Sequence, residues 1–243
     1  MAADKRTLAR DALKQVQAGK IEKAVETYRA IVKLDPRDAS VRNSLGDLLG
    51  KLGKKKDAIA EFLEASALFE RDGFGLRAIA TCQKAVNLDG EQWGVRLKLG
   101  DLYAAQKLPA EARAVYIQVA DRHDKRGEVA AALDVFRKIA DLDPENLPVR
   151  VKLGGMFEKQ KQPDKAAAEY VRAGKAYAAR KEGDKAVQLL VRAFKLSPAN
   201  LEARRLLADF YAQRQDWQVV VGLLETPVVR GVPETGLVVL YAE

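Results

Sequence analysis

The sequence is poor in the residues on which most enzyme chemistry depends. Cys82 is its one cysteine and His123 its one histidine. A single thiol excludes an internal disulfide and leaves a thiolate metal cluster without ligands. A single imidazole cannot supply a clustered histidine metal site, and a serine or cysteine triad would have to rest on His123 alone. Aromatic residues make up 7% of the chain, and none is interleaved with Lys51, Lys54, Lys55 and Lys56 as a base-stacking platform requires. No apolar run reaches membrane-spanning length, and Met1-Ala2-Ala3-Asp4-Lys5-Arg6 leads into an amphipathic pattern rather than an apolar leader. Gly50-Lys51 and Gly53-Lys54-Lys55 lack the glycine spacing and the Ser or Thr of a phosphate loop. Gly73-Phe74-Gly75 lacks the third glycine of a dinucleotide fingerprint. These absences predict a cytoplasmic chain with no cofactor, no metal and no enzyme activity, and not integral to a membrane.

What is present is helix-forming. Hydrophobic residues are 48% and charged residues 31% of 243, with a formal net charge of +8. That balance belongs to a folded, helix-rich chain whose surface favours acidic peptides, anionic membranes or other polyanions as loose partners.

The chain repeats itself. Leu45-Gly46, Leu99-Gly100 and Leu153-Gly154 recur at one constant interval, and Leu207-Ala208 continues the series. Pro36, Gly90, Pro144 and Pro198 keep the same interval, each following Asp or Ser and, one residue earlier, Leu. Inside this period sits another, in which Ala24, Ala58, Ala78, Ala112 and Ala132 alternate a long step with a 20-residue step, and Ala166 and Ala186 extend it. Four residues after these alanines stand Tyr28, Phe62, Cys82, Tyr116, Phe136, Tyr170 and Leu190, which puts a small and a large residue on one helical face. Asp38, Gln92, Asn146 and Asn200 fall at N-cap positions, Gln92 being the weak one. Gly19, Gly53, Gly73, Gly127 and Gly183 fall between helices, where positive φ closes a turn. The predicted helices are 5–18, 21–34, 39–52, 55–71, 75–88, 93–106, 109–125, 128–142, 147–160, 163–181, 184–196, 201–214 and 217–226.

On these residues the chain resembles the tetratricopeptide repeat family. Segment 39–72 carries Leu45-Gly46, Ala58, Phe62 and Ala65. Segment 93–126 carries Trp93, Leu99-Gly100, Tyr103, Ala112 and Tyr116, and segment 147–180 carries Leu153-Gly154, Phe157, Ala166, Tyr170 and Ala173. The resemblance implies an all-α, right-handed superhelical solenoid of antiparallel helices, about 13 to 14 of them, over a single array 1–243. Its units are 5–58, 59–112, 113–166, 167–220 and a partial 221–243. The departure from the family is the 20-residue step, too short for a helix pair, so three helices make each 54-residue unit and the middle helix serves two overlapping repeats. The apolar segment Leu237-Val238-Val239-Leu240-Tyr241 has no polar capping helix, which predicts a longer natural protein or an end that docks on something.

Arg42, Arg96, Arg150 and Arg204 form a ladder at the same interval, with Asp35, Asp89 and Asp143 seven residues before the first three. The arginines either pair with those loop acids or present guanidinium groups to carboxylates or phosphates. The resemblance also places the fifth position of each first helix on a ligand-facing groove. Here that position is Ala9, Asn43, Leu63, Leu97, Ile117, Val151, Val171 and Arg205, apolar in the middle, and these side chains either line the groove or belong to the core if overlapping repeats turn that face inward. Leu97 with Asp101 and Val151 with Gly155 depart from the Lys or Arg and Asn of carboxylate-clamping members. His123 shares the repeat position of Phe69 and Tyr177, which predicts packing. The function expected is a protein-interaction scaffold or adaptor whose partner is another protein or peptide, acidic or amphipathic, with nucleic acid disfavoured. The rival is a basic surface for polyanions such as RNA or an anionic membrane.

Overall fold

The computed structural model describes residues 4–225, and among them every element is a helix. In chain order they are α1 (Lys5–Gln17), α2 (Ile21–Leu34), α3 (Ala39–Lys51), α4 (Lys55–Arg71), α5 (Gly75–Leu88), α6 (Trp93–Ala105) and α7 (Pro109–Lys125). There follow α8 (Val129–Leu142), α9 (Leu147–Lys159), α10 (Pro163–Ala179), α11 (Gly183–Leu196), α12 (Leu201–Gln213) and α13 (Trp217–Glu225). The starts of α3, α6, α9 and α12 keep the interval of the Leu-Gly motif, and a short, a long and an intermediate helix alternate in that order from α3 through α11. The apolar 237–241 segment lies outside the described residues. The chain divides into two compact units, Met1–Val119 and Ala120–Glu243, with the division inside α7.

Loops of three or four residues force consecutive helices to run antiparallel, and each packs on the next within its unit. Three of the four expected caps form, the side chains of Asp38, Asn146 and Asn200 accepting from the N–H of Val41, Val149 and Ala203. Gln92 makes no such bond. Gly19, Gly53, Gly73 and Gly127 take positive φ as expected, but Gly183 does not. It begins α11, and Lys181 (φ 62°), one full period after Gly127, closes that turn. Lys107, Lys161 and Gln215 hold the same conformation at the period of Gly53. The turn geometry therefore follows the repeat even where glycine is replaced.

The alanine series is the spine of the core. Ala24, Ala58, Ala78, Ala112, Ala132, Ala166 and Ala186 are all 0% exposed. The Leu-Gly motif has a steric cause. A Cβ on Gly46 would lie 2.7 Å from Phe62 Cε1, and one on Gly100 or Gly154 would lie 2.6 Å from Cε1 of Tyr116 or Tyr170. Each glycine is thus the seat of a ring sixteen residues later. The same spacing recurs one helix on, where a Cβ on Gly174 would come within 2.9 Å of Leu190 Cγ. So α10 offers its ring to α9 on one side and a small-residue seat to α11 on the other, which is the overlap inferred from the 20-residue step.

Cys82 is fully buried at the corresponding ring position of α5, its thiol 3.7 Å from the Val95 carbonyl. Burial pushes the thiol up to about 11 from 9.0, so the thiolate fraction at neutral pH falls about a hundredfold. A thiol-alkylating reagent should accordingly label the urea-unfolded chain at least about a hundredfold faster than the folded one; comparable rates would place Cys82 outside the core.

Candidate partner-binding surface

The arginine ladder is engaged with the chain itself. Arg42 Nε donates to the Pro36 carbonyl at 2.9 Å and Nη1 to Glu61 at 2.8 Å. Arg150 does the same, Nε to the Pro144 carbonyl at 2.7 Å and Nη1 to Glu169 at 3.1 Å. Both side chains are only 16% exposed. Arg96 Nη2 donates to the Gly90 carbonyl, but Val115 replaces the glutamate, so Nη1 turns to Gln118 and the guanidinium lies 5.0 Å from the Trp93 ring centre. Arg204 is fully buried against Phe194 and donates to the Pro198 carbonyl; burial lowers its pKa. The expected pairing of Arg42, Arg96 and Arg150 with Asp35, Asp89 and Asp143 is not made, because the fork reaches the loop carbonyl one residue beyond the acid. Asp35 instead takes Lys5 and the Arg37 N–H, and Asp89 takes the Glu91 N–H and the Gln92 amide. Each arginine ties its helix to the loop that precedes it.

A second cation series, not anticipated from the motifs, stands on the third helices at Lys84, Lys138 and Arg192, again one period apart. Lys84 Nζ lies 2.8 Å from Asp47 and 3.1 Å from Asn43, and 5.4 Å from the Phe62 ring centre. Arg192 pairs with Glu158 at 2.6 Å, with its guanidinium 4.9 Å from the centre of Tyr170. Thus α3, α4 and α5 meet at one accessible cation–acid pair over a ring, and α9, α10 and α11 at another. Both pairs are open to water, Lys84 being 41% and Arg192 52% exposed. The interval alone was the available signal. Tyr116 O–H donates to Asp101 at 2.6 Å, and burial together with that acceptor pushes the phenol pKa up. An acid therefore occupies the place where a carboxylate-clamping repeat needs a donor.

The predicted apolar positions do not behave as one class. Ile117 is 41% exposed and Val171 only 2%. Leu63, Leu97 and Val151 are half-buried. Leu63, Leu97 and Ile117 belong to the first unit, Val151 and Val171 to the second. His123 differs from the expected packing residue: its Nδ1 pairs with Glu128, whose carboxyl pKa is lowered chiefly by that bond. Among the described residues no cluster of side chains is arranged to hold a metal, and no helix is long and apolar enough to cross a membrane.

Two family models match the chain: "TPR repeat" over residues 14–53, from the end of α1 through α3, and "Tetratricopeptide repeat" over 118–180, from the end of α7 through α10. No curated protein sequence matches it significantly. Several solved structures are similar. A tetratricopeptide repeat protein from Parabacteroides merdae shares 15% identity, covering 85% of this chain and 98% of that one at a TM-score of 0.25. YrrB, described as a TPR protein with an unusual peptide-binding site, shares 18% over 84% of this chain and 91% of that one, at 0.25. A chain of the Naa15/Naa10 complex bound to HypK-THB shares 15% over 90% of this chain and 36% of that one, at 0.48. Repeat models thus match α1–α3 and the stretch from α7 through α10, and the same glycine–ring seats recur in α3–α4 and α9–α10, so these segments are tetratricopeptide repeats.

Proposed function

We propose that the chain is a cytoplasmic scaffold or adaptor that holds an amphipathic segment of another protein against the fifth-position face of its helices. The observation that carries this reading is Ile117. It is 41% exposed in the middle of α7, between the buried Tyr116 and Val119, at the repeat position that leaves Leu63 and Leu97 half-buried. A large apolar side chain held out of the core at a repeating position gives an incoming segment area to bury, and at the fifth position of α3 the Lys84–Asp47 pair, with Lys84 also on Asn43, adds polar groups to the same unit. In the second unit Val151 is half-buried at the same repeat position, and Arg192 is 52% exposed in its pair with Glu158. The arginines Arg42, Arg96, Arg150 and Arg204 act in this reading as positioning residues, holding the first helices to their loops.

The test is recovery of partner proteins by the purified chain beside its Ile117→Asp and Leu97→Asp variants, each checked by thermal unfolding. A protein recovered by the parent and lost with Ile117→Asp at unchanged Tm supports the reading. An identical set recovered by all three, with both variants folded, sinks it. Val171→Asp is a contrasting control, expected to unfold because it buries a carboxylate.

A further inference from the structure

The net charge is not spread along the chain. Residues 1–56 carry 14 Lys and Arg against 7 Asp and Glu, so they hold +7 of the formal +8. The antiparallel course of α1 to α4 brings the α1–α2 and α3–α4 turns to the same edge of the first unit. Lys20, Lys23, Lys51, Lys54, Lys55 and Lys56 stand there, all exposed and none in an ion pair among the described residues. Gly53 to Asp57 line a shallow concavity at this edge.

Two observations separate this edge from an ordinary charged surface. Lys54, Lys55 and Lys56 occupy the N-cap and first turn of α4, and Lys20 the N-cap of α2, where the helix dipole favours anions and opposes cations. The fold does not ask for lysine at that corner. The equivalent corners of later repeats read Leu108-Pro109-Ala110, Gln162-Pro163-Asp164 and Asp216-Trp217-Gln218, at the starts of α7, α10 and α13. Cations are thus concentrated at one corner of one repeat, against the local electrostatic preference and without internal partners.

We infer that this lysine edge of α1–α4 docks an acidic segment of a partner protein, electrostatically and separately from the apolar face. The inference rests on the protein-binding reading above and deepens it by naming the partner's chemistry. The edge is built from lysine rather than arginine, so it offers single ammonium charges instead of planar forks. Carboxylates spaced along a flexible acidic segment meet such charges one at a time. No exposed aromatic side chain stands among these lysines on which a nucleic-acid base would stack.

A fluorescent oligo-glutamate peptide is the probe, titrated at low and at physiological salt by anisotropy. The expected result is binding that weakens as salt rises. Binding should fall on the order of tenfold or more in the triple variant Lys54→Glu, Lys55→Glu, Lys56→Glu. That variant keeps its Tm, since acids at the start of α4 suit the dipole. A matched triple, Lys125→Glu, Lys161→Glu, Lys195→Glu, makes the same charge change elsewhere and should retain most of the affinity. Equal losses in the two triples overturn the site. Tighter, equally lysine-dependent binding of phosphatidylserine-containing vesicles or of an oligouridine overturns the acidic-protein assignment. Ile117→Asp should leave oligo-glutamate binding unchanged. Failure of the peptide with loss of partner in Ile117→Asp therefore removes this edge alone, and the converse removes the apolar face alone.

Discussion

Tyr170→Ala is expected to lower stability by about 3 to 5 kcal/mol and Gly154→Ala by about 1 to 3, yet the two losses will not add. Tyr170 is 0% exposed and its Cε1 lies 2.6 Å from where the Gly154 methyl would be built, so parent and methyl compete for one volume. Once the ring is gone the methyl has room, and alanine regains its advantage over glycine inside a helix, roughly 1 kcal/mol. In the Tyr170→Ala background, Gly154→Ala should therefore be neutral or stabilising, measured by urea unfolding at unchanged m value. Gly94→Ala on α6, where nothing lies within 4 Å, supplies the reference: a gain of up to about 1 kcal/mol without any second mutation. Strict additivity of the Gly154 and Tyr170 losses would mean that the ring is not what requires glycine, and the steric account of Leu-Gly would fall. Because Gly46 with Phe62 and Gly100 with Tyr116 share the geometry, the same cycle should repeat at both.

The helices and their core were legible in the sequence because both are set by local spacing. A small residue four before a large one, repeated in register, marks the buried stripe, and all seven alanines so marked are buried. Caps were legible for a similar reason, since a cap bond spans three residues. The turn at Lys181 is hidden from a search for glycine by identity, although Gly127 plus one period points at that lysine. The surface was less legible. Whether a fifth-position side chain is 2% exposed like Val171 or 41% like Ile117 depends on how closely the neighbouring helices cover it, which residue spacing within one helix does not record. The Lys84, Lys138 and Arg192 series was visible as an interval, but its acid partners Asp47 and Glu158 occupy different repeat positions, so no motif could pair them. The loop acids near the arginines misled in the opposite way: Asp35 and Asp89 are close in sequence, yet the guanidinium fork reaches past them to a carbonyl.

The arginine ladder yields the second large effect. Arg150→Ala should cost about 2 to 4 kcal/mol, because it removes two hydrogen bonds and a packed stem and leaves Glu169, 12% exposed, with Arg172 as its remaining cation among the described residues. The deciding variant is Arg150→Lys. It keeps the charge, but one ammonium cannot span the Pro144 carbonyl and Glu169 as the fork does, so most of the loss should remain. Arg96→Ala should cost less, about 1 to 2 kcal/mol, since its outer partner is the neutral, exposed Gln118. Urea midpoints for the three variants would establish the order Arg150→Ala, then Arg150→Lys, then Arg96→Ala. If Arg150→Lys matched the parent, only charge would matter at this position. If Arg150→Ala left stability untouched but abolished partner recovery, the guanidinium groups would belong to recognition rather than to holding helix to loop. The short contacts to the Pro36, Gly90, Pro144 and Pro198 carbonyls argue for the holding role. A guanidinium that gives one donor to the backbone carbonyl six residues earlier, and in Arg42 and Arg150 another to a glutamate while the side chain is only 16% exposed, is held by its own chain, and its regular recurrence is then a requirement of each helix start.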